Sequence, residues 1–178
     1  MSDNAQLQIC YNIHNYARLC APNYIDQVWE LLKNKDFCTF PASPYKHHCY
    51  EGGLLQHTNE VIGLALNLCD YNKYLNKESI FLGALLHDVG KIKVYNKDID
   101  TYIYNLEYSK TLHISESLKY YKENFTNTPL LNNVIHIIKS HHGPIEHGSL
   151  EEPETHEAWA VHLADMQSAF CLGGRKNV

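Results

Sequence analysis

Twelve histidines in 178 residues invite a chemical reading first, because imidazole titrates near neutrality and is the commonest metal ligand. Several stand, with aspartates, where the apolar pattern would bury them. His57 shares a predicted helix face with Leu54, Val61, Leu64, Ala65 and Leu68. His87 and Asp88 are adjacent at the C-terminal end of the most hydrophobic segment, and Asp165 lies among Val161, His162, Ala164 and Met166. A buried carboxylate is costly unless it is paired or coordinated, so each aspartate needs a partner. Taken singly, Asp88 could cap a neighbouring helix and Asp165 could pair with a buried histidine, since buried polar groups often serve structure.

The elements that must position these residues read as helical almost throughout. Leu7, Ile9, Ile13, Tyr16 and Ala17 mark a first helix, and residues 24–32 a second with Val28, Leu31 and Leu32 on one face. Pro41 and Pro44 force a loop, and Gly52 and Gly53 precede a helix over about 54–72. Residues 77–87 are apolar nearly all round, which marks a buried central helix, and Gly90 is expected to end it. Alternation over 93–107 predicts a short hairpin or an extended loop. Helices are expected again at about 113–124, 130–140 and 155–172, with a frayed tail after Gly173. The expectation is an all-α helical bundle forming one domain over 1–178, with N-terminal helices in 1–44 and a metal-binding core in 45–172.

Composition narrows the class. Hydrophobic content of 44% and charged content of 20% are ordinary for a globular protein of one domain. The first ten residues show no basic stretch followed by an apolar run, and no segment approaches the ~20 apolar residues of a membrane span. The six scattered cysteines contain no C-x-x-C pair, so they are read as reduced, which fits a cytoplasmic setting. A net charge of −5 argues against a general nucleic-acid binder yet leaves room for a nucleotide substrate, because two bound divalent cations would add four positive charges locally.

The order His57, His87-Asp88, Asp165 resembles the signature of the HD superfamily. Longer stretches carry the likeness further: HHCYEGGLLQHT at 47–58, GALLHDVGKI at 83–92, SHHGPIEHGS at 140–149, and Pro153 through Asp165. Together they resemble the HD domain of YhaM-type 3′–5′ exoribonucleases over about residues 45–170. Leu112 departs from that pattern, which often has glycine before the helix-start histidine.

The resemblance implies an HD-domain helical bundle and a metal-dependent phosphohydrolase. HD domains with histidines between the HD pair and the last aspartate resemble the two-metal kind. By analogy His57, His87, Asp88 and Asp165 hold one ion, and Asp88 bridges to a second held by His113 and by His141 or His142. A bridging carboxylate suits cations ~3.5–4 Å apart, which can share a hydroxide and clamp a phosphate during in-line displacement. Mixed imidazole and carboxylate ligands suit Mn²⁺, Fe²⁺, Co²⁺, Ni²⁺ or Zn²⁺. Catalytic roles fall to Asp88 and to Lys91, whose ammonium could face the phosphate or simply favour a helix C-terminus. His47 and His48 could contact substrate or be plain loop residues, and Glu51 and His147 are similar. His14, His136, His156 and His162 are read as structural or exposed. Tyr102, Tyr104 and Tyr108 could stack bases or cover a hairpin.

The expected substrate is a nucleotide, a cyclic nucleotide or a short single-stranded nucleic acid, with exonuclease action as one form. The larger exoribonucleases of this type carry an OB-fold domain, whereas the 44 residues before this HD region read as helices. Other readings are a one-metal nucleotide phosphohydrolase and a non-catalytic, metal-stabilised nucleotide sensor. A structural zinc site fits poorly, since such sites usually close four ligands and often use cysteine.

Overall fold

The computed structural model of the chain describes residues 1–97, 102–104, 111–125 and 131–173. Helix α1 (Asp3–Cys20) begins earlier than its apolar pattern predicts because the Ser2 hydroxyl caps the Ala5 amide. A 3₁₀ turn (Pro22–Tyr24) leads into α2 (Ile25–Leu32), and α3 (Lys35–Thr39) is a short helix that periodicity did not announce. It forms because the Asn34 side chain accepts from the Phe37 amide at 3.1 Å while Phe37 plugs the core. After the proline loop come α4 (Gly53–Tyr71) and α5 (Lys77–Leu86).

Helix α5 stops at Leu86, and a turn carries the chain on to Gly90. A single-turn helix, α6 (Lys91–Val94), follows it, and a two-stranded antiparallel hairpin of β1 (Tyr95–Lys97) and β2 (Tyr102–Tyr104) pairs Tyr95 with Tyr104. Then come α7 (Leu112–Asn124), α8 (Asn132–Ser140), a 3₁₀ turn (Ile145–His147) and α9 (His156–Gln167). The expected last helix changes character at Ser168, where a π-helical turn runs to Leu172. The tail expected to fray lies outside the described residues.

Helix α5 is the axis of the bundle. Ile80, Phe81, Leu82, Leu85 and Leu86 are all fully buried, each contributing about 1.5–3 kcal/mol relative to exposure. Helices α4, α8 and α9 pack around it, and α1 lies against both α4 and α5. Ile9, Ile13 and Ala17 of α1 and Val28, Leu31 and Leu32 of α2 join the same apolar cluster as α5, so the N-terminal helices are built into the core.

One close approach fixes the turn after α5. A Cβ on Gly90 would stand 2.0 Å from the His113 carbonyl oxygen and 2.5 Å from the Ser117 amide nitrogen. The Gly90 amide donates to Ser117 Oγ at 2.8 Å, and Ser117 in turn donates to the His87 carbonyl at 3.0 Å. The HD turn is thereby pressed onto the first turns of α7. Gly90→Ala should force α7 away and lower unfolding stability by about 3 kcal/mol, as overpacking against fixed backbone does. Denaturant unfolding checks this, and an unchanged midpoint would mean that α7 yields freely.

Candidate metal centre

The histidines reach one point because two of them end helices. His87 follows the last residue of α5, and its Nδ1–H donates to the Ala84 carbonyl at 2.8 Å. His141 follows the last residue of α8 and donates from Nδ1 to the Ile138 carbonyl at 2.8 Å. The last carbonyls of a helix lack intrahelical partners, so a histidine there satisfies one and has its tautomer set by doing so. Both rings are left with Nε2 as the free lone pair, and both Nε2 atoms face Asp88.

Asp88 divides its surroundings between its two oxygens. Oδ2 lies 3.3 Å from His87 Nε2 and 3.6 Å from His57 Nε2. Oδ1 lies 3.5 Å from His113 Nε2 and 3.7 Å from His141 Nε2. Asp165 Oδ1 stands 3.1 Å from His57 Nε2, completing the first side. On the second side the His142 ring centroid is 4.3 Å from that of His141 and 5.0 Å from that of His113. Lys91 is only 9% exposed and donates to Asp88 Oδ2 at 2.5 Å.

Three groups of donor atoms are each close enough to hold an ion: His57, His87 and Asp88 on one side of the centre, His113, His141 and His142 on the other, and His47, His48 and His57 at its edge. A metal fits the second group on chemical grounds. Asp88 Oδ1, both ring nitrogens of His113, His141 Nε2 and His142 Nδ1 are buried without hydrogen-bond partners. Orphaned polar atoms cost about 1–3 kcal/mol each, and one nitrogen from each of the three rings lies within 4.8 Å of the others. A divalent cation satisfies lone pairs that no side chain among the described residues reaches.

Electrostatics keep all of these donors but His87 in ligand form. Burial alone would raise the Asp88 carboxyl, but Lys91, His87 and His113 outweigh it and hold it well below the usual range. Burial likewise opposes ionisation of Asp165, yet the close approach of His57, with His87 and His141 nearby, keeps that carboxyl strongly depressed. His113 and His141 are pushed down to about 3, mainly by burial. His142 is pushed to about 3 for the same reason. His87 moves the other way, because Asp88 more than offsets its burial.

The residues expected to form the centre therefore come together: His57, His87, Asp88, Asp165, His113, His141, His142 and Lys91. His113 sits in the first turn of α7 facing Asp88 Oδ1 despite the Leu112 departure. His48 is a correction. Open in the sequence between a substrate contact and a plain loop residue, it is buried instead, 1% exposed, with Nε2 against Glu60 Oε2 at 3.0 Å and Nδ1 against His47 Nδ1 at 3.2 Å. His47 is half-buried, its ring centroid 4.9 Å from that of His57. His162, read as structural, donates from Nδ1 to the His141 carbonyl at 2.8 Å and so braces that turn. Tyr102 and Tyr104 fall on β2, and Tyr108 lies outside the described residues. Sequence reasoning missed Glu60, Ser168 and Ser117, which support the ligands from behind.

With this geometry in view, comparison with known proteins gives a direct answer. The family model of the HD domain matches residues 54–169. The chain belongs to the HD domain family. Among curated relatives of this HD chain, the 3′–5′ exoribonuclease YhaM of Bacillus licheniformis is 32% identical over 135 residues, 74% of this chain and 43% of the relative. The dihydroneopterin 2′,3′-cyclic phosphate phosphodiesterase of Methanocaldococcus jannaschii is 40% identical over 135 residues, 70% of this chain and 49% of the relative. YhaM of Bacillus subtilis is 31% identical over 151 residues, 81% of this chain and 48% of the relative. The chain thus spans about half the length of the curated relatives it matches. No solved structure matches it. Among the described residues no helix is long and apolar enough to cross a membrane.

The depressed histidines give the metal-free protein a pH dependence of definite sign. His113 and His141 stay neutral in the fold down to about pH 3, whereas unfolded imidazoles protonate near ~6.5. Between those values the unfolded chain binds more protons, so stability rises with pH and levels off above about 6.5. The slope is up to about 1.4 kcal/mol per pH unit for each such histidine. His87, with its raised pKa, opposes this, its contribution being present below about 6.5 and lost as pH rises through its folded pKa. Unfolding of chelated protein at pH 7 and pH 5.5 should show a clear loss at the lower value. Equal stability would mean that these rings are protonated in the fold.

Proposed function

We propose that this HD chain hydrolyses phosphate esters of nucleotides or short oligonucleotides, using two divalent ions shared by Asp88. The single observation behind this reading is the partition of Asp88, whose Oδ2 and Oδ1 face two separate histidine sets. A structural or single-ion site has no use for the second set of buried, unpartnered donors. Ions bound there would supply Lewis-acid activation of water and of a phosphate group at neutral pH.

The chain's own residues account for the rest. Asp88, held ionised, would offer one oxygen to each histidine set, with His57, His87 and Asp165 holding an ion on one side and His113, His141 and His142 on the other. Lys91 places its ammonium at the same carboxylate, where it can neutralise charge developing on a phosphate oxygen. His47 lies at the edge of the centre near His57, the position from which a loop residue would meet substrate. The net charge of −5 favours a small nucleotide, a cyclic phosphate or a short strand over a long polyanion. The relatives' names, an exoribonuclease and a cyclic phosphate phosphodiesterase, fall within the same chemistry.

Metal content of protein purified without chelator, with hydrolysis of bis-p-nitrophenyl phosphate in added Mn²⁺, tests the proposal. Near two ions per chain and turnover support it. One ion or none, with no turnover after reconstitution on a nucleotide panel, would overturn it. Asp88→Ala should strip the metal and abolish turnover while far-ultraviolet circular dichroism still reports a helical fold; full activity in that variant would sink the mechanism. Lys91→Ala should lower turnover roughly a hundredfold with metal content nearly unchanged. Loss of both ions instead would make the lysine a structural member of the site.

A further inference from the structure

His57, unlike His87 and His141, has no helix-end carbonyl to set its tautomer. It lies inside α4, where the backbone carbonyls are already used by the helix. Its Nδ1 instead meets Ser168 Oγ at 2.9 Å, across 111 positions of sequence. Ser168 is fully buried and opens the π-helical turn that follows α9, a helix irregularity that often accompanies function.

Around Ser168 the proton order follows from the donors and acceptors that meet there. An ionised carboxylate can only accept, so Ser168 donates its hydroxyl proton to Glu60 Oε2 at 2.7 Å. The Ser168 oxygen then has only lone pairs for His57, whose Nδ1 must carry the proton. Nε2 of His57 is thereby left unprotonated, facing Asp165, Asp88 and His87. Glu60 is itself fastened by Gln56 Nε2 on Oε1 at 2.6 Å and by His48 Nε2 on Oε2 at 3.0 Å. With Nε2 of His48 donating, its Nδ1 is an acceptor, and the 3.2 Å contact requires His47 Nδ1 to donate. His47 then presents Nε2 as a free lone pair.

We propose that Glu60, acting through Ser168 on His57 and through His48 on His47, is the positioning residue that sets both imidazole tautomers at the metal centre. The proposal rests on the reading of His57 as a metal ligand. Two independent features support it. The hydrogen bonds that Glu60 receives from His48, Gln56 and Ser168 outweigh its burial and hold its carboxyl below the usual range, keeping it an acceptor. His48 is also held at φ 46°, a left-handed conformation uncommon for a residue with a Cβ, by bonds from its amide to the Gly173 carbonyl and from the Ala42 amide to its own carbonyl. Neighbouring Gly53 leaves no room for another path, since a Cβ there would stand 2.0 Å from the His48 carbonyl oxygen.

Long-range ¹H–¹⁵N imidazole spectra of the chelated full chain at pH 7.5 read the tautomers directly, with His57 assigned by loss of its signals in His57→Gln. His57 is expected as the Nδ1–H form. Ser168→Ala should shift it toward the Nε2–H form and weaken Mn²⁺ binding 10–100-fold, with Ser168→Thr restoring both. Glu60→Gln, which preserves shape, provides a second variant and should shift His57 and His47 together. Unchanged tautomers and Mn²⁺ affinity within twofold of wild type in both variants would overturn the proposal. A tautomer shift with unaltered Mn²⁺ affinity would instead overturn the placement of His57 in the metal centre, leaving the relay itself standing.

Discussion

The constraint on which this fold depends is the burial of one carboxylate, Asp88, at the point where α4, α5, α7, α8 and α9 converge. Removing an ionised carboxylate from water costs several kcal/mol even after relaxation. Asp88 is 2% exposed, and its compensation comes from far apart in the chain: Lys91 and His87 beside it, His57 before it, and His113 and His141 after it. None of these groups could stay there without the bundle, and the bundle could not close around Asp88 without them. Helix α5, buried on every side from Ser79 to Leu86, supplies the rigid platform, because such a helix leaves its C-terminal turn nowhere to move.

Helix ends do much of the remaining work. A histidine just past the last residue of a helix meets an unpaired carbonyl three residues back, and meeting it leaves Nε2 outward. His87 and His141 both exploit this, which converts a backbone necessity into a fixed ligand orientation. On the Oδ1 side of Asp88, buried nitrogens of His113, His141 and His142 are left without hydrogen-bond partners. Structural histidines do not leave such atoms unpaired. His136, for contrast, has Nδ1 against Glu151 and accepts the Glu154 amide at Nε2.

The candidate ligands of the first side were legible in the sequence as polar types in an apolar setting, whereas His113, His141 and His142 entered only through the family resemblance. His57 on the face of Leu54 and Val61, His87-Asp88 after a run of buried apolar residues, and Asp165 among Val161 and Ala164 all carry that conflict openly. The long helices were legible for the same reason, since their apolar faces repeat. What stayed hidden depends on contacts rather than periodicity. The five-residue α3 is too short to show a period and is held by the Asn34 cap and Phe37. His48 turns inward because Glu60 and Gly173 hold it, and neither contact has a local signature. Ser168 looks like any serine at the end of a helix until a π-helical turn brings it to His57.

The support of His57 has a local logic of its own once the partners are known. Asp165 and Ser168 are three residues apart at the end of one helix, so they project from nearly the same face. One meets His57 Nε2 at 3.1 Å and the other Nδ1 at 2.9 Å, gripping opposite edges of a single ring. On α4, His57 and Glu60 have the same spacing, so the carboxylate behind Ser168 and the ring in front of it belong to one rigid element. Two helices therefore hold both ends of the hydrogen-bond chain, and the ring cannot rotate without breaking contacts on each. A ligand fixed in this way needs no helix-end carbonyl. That is why the one histidine of the Asp88 Oδ2 side drawn from a helix interior can be oriented as firmly as His87 beside it.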